Sequence, residues 1–269
     1  MLDGDKVKII DIHTHIFPDE IAPTTIKYLQ EEANTKAYLD GTISDLKGSM
    51  NRAEISISVN QPISTKPSQV QSINNWAKQI QDDAIISFGT IHPQFEDFES
   101  EIKKLKEWGI KGVKFHPDYQ KCHPDDESMF PIYESLRENE MIVLFHAGVD
   151  IALYPPAHAT PQRLAKVVDR FPGFKIIASH LGGYRMWDDV EKYLVGRDIY
   201  FDTSFVIDYM ETERFVTIMK NHGFDKILFG TDSPWKDQVD EVKKISSLDI
   251  PQEIKANIFW GNANGLLGK

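Results

Sequence analysis

The sequence predicts a single-domain α/β protein built as a (β/α)8 barrel. Three observations predict it: eight short apolar runs, amphipathic segments between them, and polar residues gathered where the runs end. The runs span residues 7–15, 54–60, 84–93, 110–117, 141–148, 174–183, 199–206 and 227–235. Most are apolar on consecutive residues, as in Met141-Ile142-Val143-Leu144-Phe145, which marks strands covered on both faces of a parallel interior sheet. Between them, apolar residues recur three or four apart, the period of a helix with one face on a core. Val70, Ile73, Trp76 and Ile80 form one stripe, Phe98, Ile102, Leu105 and Trp108 a second, and Leu164, Val167, Val168 and Phe171 a third. This alternation matches the barrel, whose active sites lie at the C-terminal ends of the strands; a doubly wound open sheet is the competing arrangement. Residues 18–52 intervene between the first two runs and should add a helix and a loop over the site. Residues 154–158, Tyr154-Pro155-Pro156-Ala157-His158, are a second candidate lid. No linker, repeat or composition break divides the chain, so residues 1–269 are expected to form one domain.

Composition bounds the partners. Thirty basic against 41 acidic residues give a formal charge of −11, which disfavours a sequence-independent hold on nucleic acid or on an anionic membrane and leaves a small molecule as the expected partner. No apolar run approaches the roughly 20 residues of a membrane-spanning helix. The single cysteine, Cys122, excludes an intramolecular disulfide, and no secretion signal is recognisable at the N-terminus, so a cytoplasmic location is expected. A homo-oligomer is allowed by the composition but not specified by it.

The strand ends carry the chemistry. Asp11-Ile12-His13-Thr14-His15 closes the first run, and side chains two apart on a strand share a face, so His13 and His15 can turn toward one ion. Neutral imidazoles suit zinc and its neighbours, although the same spacing also fits two histidines ending an exposed edge strand. The later strands decide between these readings: His92 ends the third, Lys114 and His116 lie on the fourth, His146 on the fifth, His180 on the sixth and Asp232 on the eighth. Six of the nine histidines therefore fall at strand ends, more than the tolerance of a semi-polar ring for the core border accounts for.

With Asp11-Ile12-His13-Thr14-His15, the series Lys114-Phe115-His116-Pro117, Phe145-His146-Ala147-Gly148, Ala178-Ser179-His180-Leu181-Gly182-Gly183 and Gly230-Thr231-Asp232-Ser233-Pro234-Trp235 resembles the amidohydrolase superfamily, in particular its amidohydrolase-2 branch of metal-dependent barrel hydrolases and decarboxylases. The closing Ile258-Phe259-Trp260-Gly261-Asn262-Ala263 is similar to that branch's tail. The resemblance implies that His13, His15, His146 and Asp232 hold one divalent metal ion, usually Zn2+, with His180 beside the metal-bound water or the substrate. Three nitrogens, a carboxylate and an exchangeable water make a catalytic rather than a closed structural site. Asp232 and His180 are the expected proton-handling residues.

Lys114 and His116 share a face and are expected to attract an anionic substrate group. The resemblance also offers a binuclear site in which Lys114 is carbamylated and His146 and His180 serve the second ion; the alternative for Lys114 is a buried amine paired with Asp202. Asp11 is expected either to fix a histidine tautomer or to act as a structural acceptor, and His92 is equally open. His123 and His158 should lie in loops above the site, and His222 should be solvated at a helix end. Tyr119, Tyr154, Arg185, Trp187 and Trp235 are the expected specificity residues. The leading expectation is hydrolysis of a small amide, lactone or ester by metal-activated water; the alternative is non-oxidative decarboxylation of an aromatic or unsaturated acid. Phosphoester cleavage is disfavoured: Asp232-Ser233-Pro234 lacks the Asp-x-His of one phosphatase type, and TatD-type nucleases carry a bridging glutamate where this chain has Lys114 and His116.

Overall fold

The computed structural model describes residues 8–153 and 155–268. Its strand segments are β1 (Ile10–Thr14), β2 (Ile57–Asn60), β3 (Ile85–Ser87), β4 (Gly89–Thr90), β5 (Gly112–Phe115), β6 (Ile142–Phe145), β7 (Ile176–Ala178), β8 (Tyr200–Asp202) and β9 (Ile227–Leu228). Each pairs in parallel with the next, apart from a break between β3 and β4. These two form one passage interrupted at Phe88, whose N–H donates to the Asn60 carbonyl at 2.9 Å, so the segments make eight strands. The ring closes where the Ile12 N–H donates to the Phe229 carbonyl (2.9 Å) and the Asp232 N–H to the His13 carbonyl (2.8 Å). This is the expected (β/α)8 barrel, each apolar run supplying one strand; Val7, at the start of the first run, lies outside the described residues.

The continuous apolar runs are explained by two cores. Ile10, Ile12, Ile57, Val59, Ile142, Leu144, Ile177 and Leu228 fill the barrel interior together with Phe88. Trp260, Ala263, Leu266 and Leu267 pack against this interior cluster and plug one end. The alternate residues Val113, Phe115, Val143 and Phe145 face outward into the larger core beneath the helices. A residue of either parity is therefore buried, and at about 25 cal/mol per Å² each full-length side chain removed from water contributes roughly 1.5–3 kcal/mol. Among the described residues no helix is long and apolar enough to cross a membrane.

Residues 18–52 supply the expected helix and loop, and a second helix follows the loop. Ala22–Ala33 crosses above the strand ends. Ile43–Ala53 is capped by Thr42, whose Oγ1 accepts from the Asp45 N–H at 3.2 Å, and it buries Leu46, Met50 and Ala53 against the Gln238–Ser246 helix. Its apolar residues are four and three apart, a stripe that suffices for a crossover helix.

His222 ends the Thr212–His222 helix as read from sequence, but it is buried rather than solvated. Its ring stacks on Phe201 with centroids 3.8 Å apart, Nε2–H donates to the Ile199 carbonyl (2.8 Å), and Nδ1 accepts from the Gly196 N–H (3.2 Å). Both nitrogens serve the neutral ring, and burial pushes its pKa down to about 4. An unfolded histidine titrates near 6.5, so the unfolded chain takes up this proton first and the fold loses stability as pH falls below that value. We expect His222→Gln to remove about 2 kcal/mol of the stability difference between pH 7.5 and pH 5, read as the change in urea unfolding free energy of wild type and variant at each pH; an identical pH dependence in both would refute it.

Candidate metal centre

His13 and His15 project from the end of β1, and their Nε2 atoms stand 3.2 Å apart. Asp232 Oδ1 lies 3.2 Å from His15 Nε2 and 3.5 Å from His13 Nε2. Two imidazole nitrogens and a carboxylate oxygen thus meet at one point, a donor set that one cation would satisfy. The tautomer of His13 follows from its other nitrogen: Nδ1–H donates to Asp202 Oδ2 at 2.8 Å, which leaves the Nε2 lone pair facing the cluster. Burial, followed by the nearby Lys114 charge, holds the His13 pKa well below the usual range, so the ring is a neutral donor. Burial alone would raise Asp232, but His13, His15 and His180 outweigh it and keep the carboxyl at about 2.

The backbone is shaped to make this possible. A one-residue irregularity in the pairing of β1 with β2, between Asp11 and Thr14, breaks the strand alternation. Asp11, expected on the face of the two histidines, instead points away from them. It accepts from the Thr231 N–H (3.0 Å) and Oγ1 (2.6 Å) and from Gln238 Nε2 (2.8 Å), so it is the structural acceptor and Asp202 fixes the histidine tautomer. Gly230 passes so close beneath the site that a Cβ there would meet His13 Cβ at 3.1 Å and Asp202 Cβ at 3.3 Å. Asp232 and His180 both hold left-handed backbone angles, with φ of 64° and 59°, a conformation that costs a non-glycine residue of order 1 kcal/mol and clusters at functional sites.

His180 and His146 form a directed chain. His180 Nδ1–H donates to the Ser204 carbonyl at 3.0 Å, so its Nε2 accepts from His146 Nδ1–H at 3.2 Å. The Nε2 of His146 is then left as a buried lone pair without a partner. Of the four expected ligands, His13, His15 and Asp232 form one tight group, while His146 falls with His116 and Asp150 in an adjoining one. The His116 and His146 rings there stack face to face, their centroids 4.1 Å apart and their planes 9° from parallel. His116 Nε2 is engaged by Asp150 Oδ2 at 3.1 Å.

Lys114 Nζ sits 3.2 Å from His13 Nε2, while Asp202, its expected partner, is taken up by His13, the His180 N–H and Ser204. Burial pushes the Lys114 ammonium down to about 8, against the pull of Asp232 and Asp202. Above these groups opens a cavity of about 890 Å³. Of the expected specificity residues, Tyr119 and Trp235 line it and Arg185 and Trp187 do not; Trp187 instead donates its indole N–H to the His180 carbonyl at 3.3 Å. Tyr154 lies outside the described residues. The loop lines the cavity through residues 149–152 rather than 155–158, because His158 is tied back to Asp118 at 2.9 Å. His92 is a buried turn acceptor for the Gln94 N–H, and His123 stands beside His158 away from the cavity lining.

A family model described as Amidohydrolase matches residues 10–269. The chain belongs to the amidohydrolase family.

Two curated relatives are similar over part of their length. A gamma-resorcylate decarboxylase from a Polaromonas species is 28% identical over 126 residues, covering 40% of this chain and 39% of the relative. A dihydroorotase from a Marinomonas species is 27% identical over 107 residues, 36% of this chain and 30% of the relative. The chain thus matches well under half the length of either. Among solved structures, 5-carboxyvanillate decarboxylase from Sphingomonas paucimobilis superposes at a TM-score of 0.75 with 12% identity, covering 98% of this chain and 99% of that one. Dihydroxybenzoic acid decarboxylase from a Polaromonas species, with bound manganese and the inhibitor 2-nitroresorcinol, superposes at 0.72 with 16% identity, over 98% and 97%. These likenesses establish the shared barrel.

Asp150 and Ser204 escaped the sequence reading, and Asp202 entered it only as a partner for Lys114. Asp202 lies within the seventh apolar run and closes β8, and Asp150 only trails the Phe145-His146-Ala147-Gly148 series by two residues, so neither carries a spacing signal. We expect Asp202→Asn to cost about 1–3 kcal/mol in chemical denaturation, because the new amide faces donors that the carboxylate satisfied; a variant as stable as wild type would show that these bonds are dispensable.

Proposed function

We propose that the protein is a metal-dependent, non-oxidative decarboxylase of a small aromatic or unsaturated acid, with His13, His15, His146 and Asp232 holding one divalent ion. The observation that carries this reading is the Lys114 amine set among converging imidazole and carboxylate donors, at the foot of a cavity walled by Tyr119, Tyr184, Phe205 and Trp235. The donor chemistry supports an ion there: the neutral His13 nitrogen, the ionised Asp232 and the orphaned His146 Nε2 are ligand atoms already in the required protonation state. Nitrogen donors favour zinc, whereas the Polaromonas structure contains manganese.

A bound ion would supply Lewis acidity toward the oxygen atoms of the acid. Lys114 binds the carboxylate as a charged hydrogen-bond donor. The aromatic walls orient a planar ring and exclude water, which strengthens each charge interaction at the floor. The Asp232 carboxylate and the hydrogen-bonded His146–His180 pair would hold and hand on the proton. The bond between the ring carbon and the carboxylate breaks, its electron pair stays on the carbon, that carbon takes up a proton drawn from water through these groups, and carbon dioxide leaves.

The decarboxylase relatives and the apolar walls favour this over hydrolysis, which the ligand set alone would equally allow. Hydrolysis of an amide, lactone or ester is the second reading, favoured by the dihydroorotase similarity.

A panel of ortho-hydroxylated aromatic acids, assayed for carbon dioxide release with zinc or manganese added, tests the proposal. Release that depends on metal is expected; ring opening of a cyclic amide without carbon dioxide would transfer support to hydrolysis. Asp232→Asn should lower turnover at least a hundredfold, roughly the contribution of one positioned proton-transfer group, and unchanged turnover would remove Asp232 from the reaction. Lys114→Met should raise KM roughly 10- to 100-fold with a smaller effect on kcat, the loss of one charge-assisted hydrogen bond; a pure kcat effect would overturn the carboxylate-binding role.

A further inference from the structure

We infer that the substrate is an amphipathic acid, whose acid-bearing ring sits at the strand ends and whose extended apolar substituent lies in a groove between the Ala22–Ala33 and Val70–Gln79 helices. The head group of this inference rests on the decarboxylase reading; the groove does not.

Size is the first ground. A cavity of about 890 Å³ has room for roughly 30 water molecules at about 30 Å³ each, near the upper end of the range that holds drug-sized ligands. A single-ring hydroxy acid has only about a dozen non-hydrogen atoms, the scale of a fragment rather than of a ligand that fills such a pocket. Polarity is the second. The acidic and basic groups lining the cavity are Lys114, Asp150 and Asp232, and they are gathered with the histidines at the barrel end. The upper wall presents Leu29, Ile63, Ile73 and Trp76, interrupted only by uncharged polar side chains.

Exposure is the third. Five large hydrophobic side chains are exposed among the described residues, and three of them, Ile21 (50%), Tyr28 (57%) and Ile151 (39%), line this one cavity. Scattered exposed hydrophobics need no explanation, but their concentration on one concave surface, continuous with a charged floor, marks a surface that a ligand covers. The helix stripe explains the arrangement: Val70 is buried in the core, Trp76 packs partly against that core while lining the cavity, and Ile73, read from sequence as packing, is half-buried and lines the cavity.

Calorimetric binding of salicylate and of 4-hexylsalicylate to the full chain, with and without manganese, tests the inference. Burial of an alkyl chain is worth roughly fourfold in affinity per methylene, so the hexyl compound should bind at least thirtyfold more tightly, with or without metal. Tyr28→Ser and Ile73→Asp, both at positions outside the closed core, should abolish most of that gain while leaving salicylate affinity unchanged. A gain below threefold, or a gain that survives both substitutions, overturns the inference. Carbon dioxide release is read separately, so a chain-dependent gain without turnover would preserve the groove and defeat the decarboxylase reading.

Discussion

Four donors from three strand ends converge on the Asp202 carboxylate, and the rest of the site depends on this convergence. His13 Nδ1–H arrives from β1, the His180 N–H from the end of β7, and the Ser204 N–H and hydroxyl from the turn after β8. A buried carboxylate is costly unless its lone pairs are satisfied, so these bonds stand or fall together. They orient His13, fix its tautomer and hold His180 at its strained φ. Gly230 leaves just enough space for that packing, since any side chain there would press on both His13 and Asp202.

Much of this was legible in the sequence. Strands buried on both faces need apolar residues at both parities, so the eight runs stood out without any alternation to decode, and the histidines stood out because they interrupted those runs at one end. The irregularity after Asp11 was invisible, because an extra residue in a strand changes which way side chains point without changing composition. That is why the Asp11 carboxylate takes the structural role, serving Thr231, Gln238 and the His13 backbone N–H rather than a histidine ring. His222 was misread for a related reason: a helix end suggests solvent, and nothing local reveals that Phe201 and the Ile199 carbonyl close over it.

The site also shows how strain and burial divide. The charged and imidazole groups occupy the rigid mouth of the barrel, where parallel strands fix their backbone and where left-handed residues at 180 and 232 are held by hydrogen bonds to neighbouring strands. Such overdetermined positions suit a constellation that must keep sub-ångström geometry. The stacking of His116 on His146 adds selectivity of another kind, because the two rings lie flat against each other with His116 Nε2 held by Asp150 and His146 Nε2 left without a partner.

The cavity wall has a different origin from its floor. The floor is made by β-strand ends locked into the sheet, whereas the wall comes from the segment after β1 and from a helix edge that the barrel interior does not require. Drift in the wall can therefore proceed without disturbing the hydrogen bonds that centre on Asp202. A lineage carrying this architecture is free to exchange one substrate for another by replacing a few half-buried side chains, while inheriting its reactive centre intact. Evolvability here is a property of where the sheet's cooperativity stops.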